Sequence, residues 1–168
     1  EVLGTLNSDL GVAFRSPVMV ELLDVGRLPG ITSHVPGTCI DGLDVQVEHY
    51  ERAAHLLKLE DGQERVVKET LHSHLFRSLC PVTGQPDFAS VSIAYAGQRI
   101  DRAGLLRYLV SYRRHAGFHE HCVERIFVDL QRACGCTSLS VAASFTRRGG
   151  VDINPWRATA GTVPPPAG

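Results

Sequence analysis

The order of apolar patterns in the second half of the chain restricts its fold more than any other feature of the sequence. Residues 66–79 form a long stretch of mixed pattern that indicates a strand. In the next segment Val91, Ile93 and Tyr95 alternate with smaller residues up to Gly97. Apolar side chains at every second position lie on one face of a strand, so we predict two consecutive strands here.

Two helices are predicted after these strands. Asp101 is placed to cap the first helix, and Gly135 is placed to end the second. Both segments have apolar residues three or four positions apart, which gives each helix one buried face. These residues are Leu105, Leu106, Leu109 and Val110 in the first helix, and Val123, Ile126, Leu130 and Cys134 in the second.

A further strand follows the helices, because Leu139, Val141, Ala143 and Phe145 alternate with small residues. With a last strand before Trp156, the element order from residue 66 onward is ββααββ. This order predicts an α+β domain in which an antiparallel sheet carries two helices on one face.

The ends of the chain have weaker patterns. Residues 1–35 read as the end of a helix followed by a strand at about residues 18–23, and we predict that they are the end of a preceding module or a linker. Alternating apolar residues at 43–47 predict another strand. Residues 36–157 would form the folded module, and residues 158–168, with three consecutive prolines, a disordered tail.

The composition is that of one globular domain, with 168 residues of which 43% are hydrophobic. A net charge of −1 argues against a general nucleic-acid or membrane-surface role, and no apolar run approaches the roughly 20 residues of a membrane span. The five cysteines are an odd number, and Cys134 and Cys136 form C-x-C rather than C-x-x-C. A disulfide framework is therefore not expected, and reduced thiols indicate a cytoplasmic protein.

The segment Leu79–Ala89 places a thiol and a carboxyl, Cys80 and Asp87, seven positions apart in a turn bounded by prolines. A thiol attacks an electrophile as the thiolate, and the product of that attack needs a proton donor nearby. A buried thiol and a turn or helix cap are the alternative roles of these residues. Two later segments, Gly117–Phe127 and Phe145–Arg157, favour the catalytic interpretation.

In this order the three segments resemble 7-cyano-7-deazaguanine reductase, the NADPH-dependent nitrile reductase family of queuosine biosynthesis. The resemblance runs from about Pro36 to Trp156 and implies the tunnelling fold (T-fold), with 36–157 as its catalytic module. It implies reduction of the nitrile of 7-cyano-7-deazaguanine to 7-aminomethyl-7-deazaguanine through a cysteine thioimide, with NADPH as cofactor. It also implies a small-molecule substrate, no direct nucleic-acid or membrane partner, and a homo-oligomer, which is a dimer in the long form of the family.

The resemblance assigns catalytic roles to two residues. Cys80 would be the nucleophile that adds to the nitrile carbon. Asp87 would protonate the nitrile nitrogen, which requires a carboxyl kept partly protonated by desolvation.

Four more residues match the binding positions of the family. His119 and Glu120 correspond to the pair that recognises the base, where a carboxylate can accept from the ring N–H and the exocyclic amine. Arg148 and Gly149 correspond to the cofactor-contacting positions, where a guanidinium can pair with phosphate and glycine permits close backbone approach. The alternatives are a solvated helix N-terminus and a glycine turn with exposed arginines.

One family signature is missing. Short-form enzymes carry a motif of the type E-S-K-S-x-K-L-Y, and here Asp101–Tyr108 agrees with it only at Tyr108, with Leu105 at the variable position. In the long form this motif lies in a preceding module. We therefore interpret the chain as the second module of the long form, and expect the isolated chain to bind NADPH incompletely.

Two other functions are compatible with a T-fold. One is a zinc-dependent hydrolase of the GTP cyclohydrolase type, and the other is a non-catalytic module for assembly or base binding. Adjacent helical positions project in different directions, so no metal is expected at this site, and His72 and His74 receive no role. The zinc ligands to be considered for the hydrolase are Cys80, His119, His121 and Cys122.

Overall fold

The computed structural model describes residues 2–21, 35–62 and 66–162. Contacts divide the chain into two units, residues 1–32 and residues 33–168. In the first unit, helix α1 spans Val2–Phe14.

The strand predicted at about residues 18–23 is not formed in its described part, residues 18–21. The Val20 N–H donates to the Asn7 Oδ1 at 2.9 Å, so a side chain takes a donor that a neighbouring strand would need. Residues 22 and 23 lie outside the described residues.

The second unit is built on a five-stranded sheet whose spatial order follows the chain. From β2 to β5 the element order is the predicted ββααββ. β1 pairs in parallel with β2 whereas all other pairs are antiparallel, so the sheet is mixed. The elements are β1 Thr38–Cys39, β2 Val66–Leu79, β3 Pro86–Gln98, α2 Arg102–Val110, α3 His119–Cys134, β4 Ser138–Phe145 and β5 Trp156–Ala158.

β3 lies between β2 and β4 and has one buried face. Every second residue from Asp87 to Tyr95 is buried, and the residues between them are partly or fully exposed. α2 packs against β2, and α3 packs against β4 and β5. The core therefore lies between the two helices and the alternate strand residues, as the periodicity predicted.

The predicted helix ends are confirmed at both marker residues. The Asp101 Oδ1 accepts the Ala103 N–H at 3.1 Å at the start of α2. Gly135 has a left-handed φ of +57°, and its N–H donates to the Gln131 carbonyl oxygen at 3.1 Å at the end of α3. Glycine adopts this conformation without a Cβ penalty. None of the helices in the described ranges is long and apolar enough to cross a membrane.

The strand predicted at residues 43–47 is wrong. The Leu43 N–H donates to the Ile40 carbonyl at 3.3 Å, and after this turn the segment makes no ladder with the sheet. Val45 and Val47 instead pack, partly buried, against the core.

The disordered tail was predicted to start too early, at residue 158. Ala158 is the last residue of β5, and the Thr159 N–H donates to the Leu139 carbonyl at 2.9 Å. Residues 163–168 lie outside the described residues.

A buried polar network joins α2 to α3. The Asp129 Oδ2 accepts hydrogen bonds from the Tyr108 hydroxyl at 2.7 Å and from the Arg52 Nη1 at 2.5 Å. The hydroxyls of Tyr108 and Tyr112 lie 2.8 Å apart. Burial raises the pKa of both tyrosines. The Asp129 carboxylate accepts a hydrogen bond from the buried Tyr108 hydroxyl and is the counter-charge of Arg52. Tyr112 is joined to it through Tyr108.

Replacing Asp129 with alanine should lower the free energy of unfolding by about 3 kcal/mol, because Arg52 and the buried Tyr108 hydroxyl lose their shared acceptor. The matched control is Glu124→Ala, which breaks an exposed ion pair with Arg157 and should cost less than about 1 kcal/mol. Urea unfolding followed by circular dichroism measures both changes. Equal losses would show that the network stabilises the fold no more than a surface pair does.

Candidate active site

The loop Cys80–Gln85 connects β2 to β3 and is held by its own backbone. The Cys80 N–H donates to the Gln85 carbonyl at 2.8 Å, and the Gly84 N–H donates to the Cys80 carbonyl at 2.9 Å. The residue before the loop, Leu79, exchanges hydrogen bonds with the segment that leads into α3, at 2.9 Å with the His115 carbonyl and 3.0 Å with the Gly117 N–H. The cysteine loop and the start of α3 are therefore fixed to each other.

Cys80 is a partly exposed free cysteine. The Thr83 hydroxyl is the largest cause that lowers the pKa of the Cys80 thiol below its ordinary value. The backbone N–H groups of Thr83 and Val82 act in the same direction, burial raises the pKa, and the charge of Arg148 lowers it by a smaller amount. A lowered pKa increases the thiolate fraction at neutral pH, which is the form that attacks electrophiles.

Asp87 is only 2% exposed and is held from two sides. Its Oδ1 accepts the Arg148 Nε–H at 2.6 Å, and its Oδ2 lies 3.3 Å from the His119 Nε2. The His119 ring stacks on Phe145, with centroids 3.8 Å apart and an interplanar angle of 4°. Residues from β3, the first turn of α3 and the segment after β4 thus converge on one carboxyl.

Arg148 reaches the carboxyl from a tight turn after β4. Arg148 and Val151 exchange backbone hydrogen bonds of 3.2 and 3.0 Å across Gly149 and Gly150. Both glycines have positive φ, +57° and +81°, which a side chain would oppose. The Arg148 Nη1 also donates to the Gln85 Oε1 at 3.2 Å, so one guanidinium joins the carboxyl to the cysteine loop.

Glu120 does not belong to this cluster in the structure. It is exposed and lines an open pocket of about 490 Å³ that also includes Trp156. Its neighbour His119 is buried against Asp87. The structure therefore joins Asp87, His119 and Arg148 through short contacts, ties Arg148 to the cysteine loop at Gln85, and places Glu120 in different surroundings.

The four ligands of the zinc hypothesis do not converge. His121 is exposed, whereas Cys122 is fully buried with its Sγ 4.0 Å from the Gly117 carbonyl oxygen. Burial raises the pKa of the Cys122 thiol to about 11. Within the described ranges, the side chains that could share a metal ion include none of these four residues. The geometry therefore does not favour the hydrolase.

Three residues of the site were missed from the sequence. Thr83 lowers the pKa of the Cys80 thiol, and Gln85 accepts a hydrogen bond from Arg148. Phe145 stacks on the His119 ring. A threonine three residues after a cysteine in a turn is a local signal for a donor to sulfur. The contacts of Gln85 and Phe145 have no local signal, because their partners are distant in sequence.

Part of the amino-acid sequence matches a known protein family. Residues 86–163 match the family model described as QueF-like protein.

Curated relatives of the whole chain carry one name. The protein from Bordetella pertussis named NADPH-dependent 7-cyano-7-deazaguanine reductase is 50% identical over 161 residues, which are 95% of this chain and 58% of the relative. The protein of the same name from Chromohalobacter salexigens is 50% identical over 164 residues, 98% of this chain and 58% of the relative. The resemblance predicted from the sequence is confirmed. The chain spans less than two thirds of the length of these relatives.

A solved structure has the same fold. The apo crystal structure titled archaeosine synthase QueF-Like superposes with a TM-score of 0.50 at 18% identity, over 58% of this chain and 96% of that chain. The predicted tunnelling fold of the QueF-like domain is confirmed by this likeness.

Replacing Thr83 with valine should raise the pH at which the Cys80 thiol becomes reactive, because the thiolate loses its main side-chain donor. Thr83→Ser keeps a hydroxyl and should retain the wild-type profile. The measurement is the rate of iodoacetamide alkylation against pH, with the modified cysteine located by peptide mapping. Identical profiles for valine and serine would show that the hydroxyl does not act on the sulfur.

Proposed function

We propose that this chain carries the reacting residues of an NADPH-dependent 7-cyano-7-deazaguanine reductase. It would convert the nitrile to 7-aminomethyl-7-deazaguanine in tRNA queuosine biosynthesis, in the cytoplasm. The observation that carries the proposal is a thiol of lowered pKa on a loop that Arg148 joins, through Gln85, to the buried Asp87 carboxyl. Relatives that are 50% identical and named for this activity support it.

Cys80 is the proposed nucleophile. Its thiolate forms a C–S bond to the nitrile carbon while one π pair of the C≡N bond moves to nitrogen. That nitrogen takes a proton from the Asp87 carboxyl, which gives a neutral thioimide and a carboxylate. The Thr83 hydroxyl and the loop N–H groups lower the pKa of the attacking thiol and so favour its thiolate form.

Asp87 needs a proton for this step, whereas here its Oδ1 is paired with Arg148. We infer that Arg148 leaves Asp87 when its guanidinium pairs with a phosphate of the cofactor. Removing the counter-charge leaves a buried carboxylate, which takes up a proton instead. This inference is supported by the exposure of the two side chains, which is 34% for Arg148 and 3% for Asp87.

His119 and Glu120 are the proposed substrate-binding residues. The His119 Nδ1 is buried and has no hydrogen-bond partner among the described residues, so it is available to a polar atom of the base. Glu120 has an exposed carboxylate that can accept two N–H donors of a guanine-like edge. Their different surroundings imply that the base contacts them from different directions.

The residues present fit NADPH only in part. Arg148 supplies one guanidinium, and a Cβ added at Gly149 or Gly150 would meet no atom within 4 Å, so the turn leaves open space rather than a closed cradle. Two molecules of NADPH, bound one after the other, would each supply one hydride, and Cys80 would leave as a thiolate between the two transfers. We propose that the cofactor site is completed by a preceding module, residues 1–35 being its end or a linker, and that the working enzyme is a homo-oligomer.

Incubation with 7-cyano-7-deazaguanine, without NADPH, should give a covalent adduct slowly and on Cys80 alone among the five cysteines, and NADP⁺ should accelerate its formation by drawing Arg148 away from Asp87. Asp87→Asn should slow adduct formation while base affinity stays nearly unchanged, because the nitrogen loses its acid. Glu120→Leu should weaken base binding by about 30-fold or more, since a polar edge is left unpaired. Intact mass, peptide mapping and calorimetry measure these changes.

The control for Glu120 is Glu124→Leu, which lies one turn later in the same pocket and should bind the base like the wild type. An adduct on another cysteine would contradict the assignment of Cys80. Loss of base binding in Asp87→Asn with unchanged binding in Glu120→Leu would show that the two roles are exchanged.

The 168-residue chain should form the Cys80 adduct but bind NADPH weakly and reduce the adduct slowly, because each missing contact multiplies the dissociation constant. The Bordetella pertussis relative is the positive control in the same fluorescence titration and turnover assay. Arg148→Ala should weaken the remaining NADPH binding further. Full NADPH-dependent turnover by the 168-residue chain alone would show that its cofactor site is complete.

A further inference from the structure

A second cluster of chemically reactive side chains lies away from the cysteine loop, at the edge of the sheet. One ligand atom from each of Cys39, His72 and His74 lies within 4.8 Å of the others. His74 precedes Cys80 by six residues on β2, about 20 Å along an extended strand. The proposed reductase mechanism uses none of the three.

The register of β1 and β2 explains why these residues meet. Cys39 is paired directly with His72 in the parallel ladder, so their side chains leave the sheet on the same face. His74 is two positions after His72, and the two imidazole centroids are 5.2 Å apart. The two-residue strand β1 thus places the Cys39 thiol beside the imidazoles of His72 and His74.

Hydrogen bonds fix the orientation of His74. Its Nδ1 lies 2.7 Å from the Ser90 Oγ, and its backbone N–H donates to the Asp41 Oδ2 at 2.9 Å. When the Nδ1–H donates to Ser90, the Nε2 presents a lone pair. A hydrogen bond from one ring nitrogen that leaves the other free is the usual support of a metal-binding histidine.

His72 has an unmet requirement at the same place. It is 8% exposed, and its Nδ1 is buried with no hydrogen-bond partner among the described residues. Buried polar nitrogens in folded proteins almost always have a partner. A bound cation would satisfy the imidazole without rebuilding the strand.

We propose that Cys39, His72 and His74 bind one Zn²⁺ ion. A thiolate and two neutral imidazoles are ligands that zinc prefers, and three protein ligands leave a fourth tetrahedral position for water. Zinc-to-ligand bonds of about 2.0–2.3 Å place neighbouring ligand atoms about 3.3–3.8 Å apart, so small side-chain rotations close the site. Binding releases the proton of the Cys39 thiol.

The ion would stabilise the most weakly paired edge of the sheet. β1 has only two residues, and β1 and the next fourteen residues have no other strand pairing in the part of the chain that the structure describes. A ligand from β1 and two from β2 would clamp this edge in the same way that a structural zinc clamps a short loop. The site is distinct from Cys80, and zinc would not take part in nitrile chemistry.

Zinc binding to the full chain, kept reduced, is measured by competition with a chromophoric chelator and by elemental analysis after dialysis. One equivalent should bind, and Co²⁺ in its place should give a thiolate-to-cobalt charge-transfer band. Cys39→Ser and His74→Asn, both at exposed positions, should weaken binding by at least about 100-fold, and Ser90→Ala by about 10-fold. Zinc should raise the Tm of the wild type and not that of these ligand variants.

Two matched controls separate this site from other thiols and histidines. Cys80→Ser removes the reactive thiol, and His49→Asn removes an exposed histidine that lies beside His55 rather than beside a cysteine. Both should bind zinc like the wild type. Loss of the charge-transfer band in Cys80→Ser, its persistence in Cys39→Ser, or less than half an equivalent of bound zinc in the wild type would overturn the proposal. Unchanged affinity in both His74→Asn and Ser90→Ala would overturn it as well.

Discussion

The contact of the Asp87 carboxyl with Arg148 and His119 is the interaction on which the rest of the site depends. A carboxylate that is 2% exposed is costly to bury unless charged or hydrogen-bonding groups surround it. Its two partners lie 61 and 32 positions further along the chain. The Asp87 carboxyl therefore has both partners only when β3, α3 and the turn after β4 are all in place. The site depends on tertiary structure and not on one segment.

The nucleophile is positioned by a different kind of interaction. Backbone hydrogen bonds close the loop that carries Cys80, and others join Leu79 to the segment before α3. Because backbone groups keep their positions when side chains change, the distance between the cysteine loop and His119 is set by the fold. Thr83, in the same loop, lowers the pKa of the Cys80 thiol most, and the charge of Arg148 acts in the same direction.

The sequence predicted those helices and strands whose signals lie within their own residues. The alternation around Val91 and Ile93 and the glycine after α3 each carry their own physical reason, and both elements are formed as predicted. Residues 43–47 alternate equally well, but a strand also requires a free edge beside it, and the turn at Ile40 removes the segment from that edge. The same limit applies to the site, where Cys80 and Asp87 stand out in one segment but the contact of Arg148 with Asp87 depends on distant pairing.

The two proposed roles of Arg148 compete for the same guanidinium. In the structure it donates to the Asp87 carboxyl and to Gln85 of the cysteine loop. A cofactor phosphate would offer two negative charges and bidentate geometry, so it can draw the arginine away from a single carboxylate. The buried Asp87 carboxylate would then lack its counter-charge, and binding a proton would neutralise it. Arg148 is thus the link through which occupation of the cofactor site would convert Asp87 from a structural ion-pair partner into an acid.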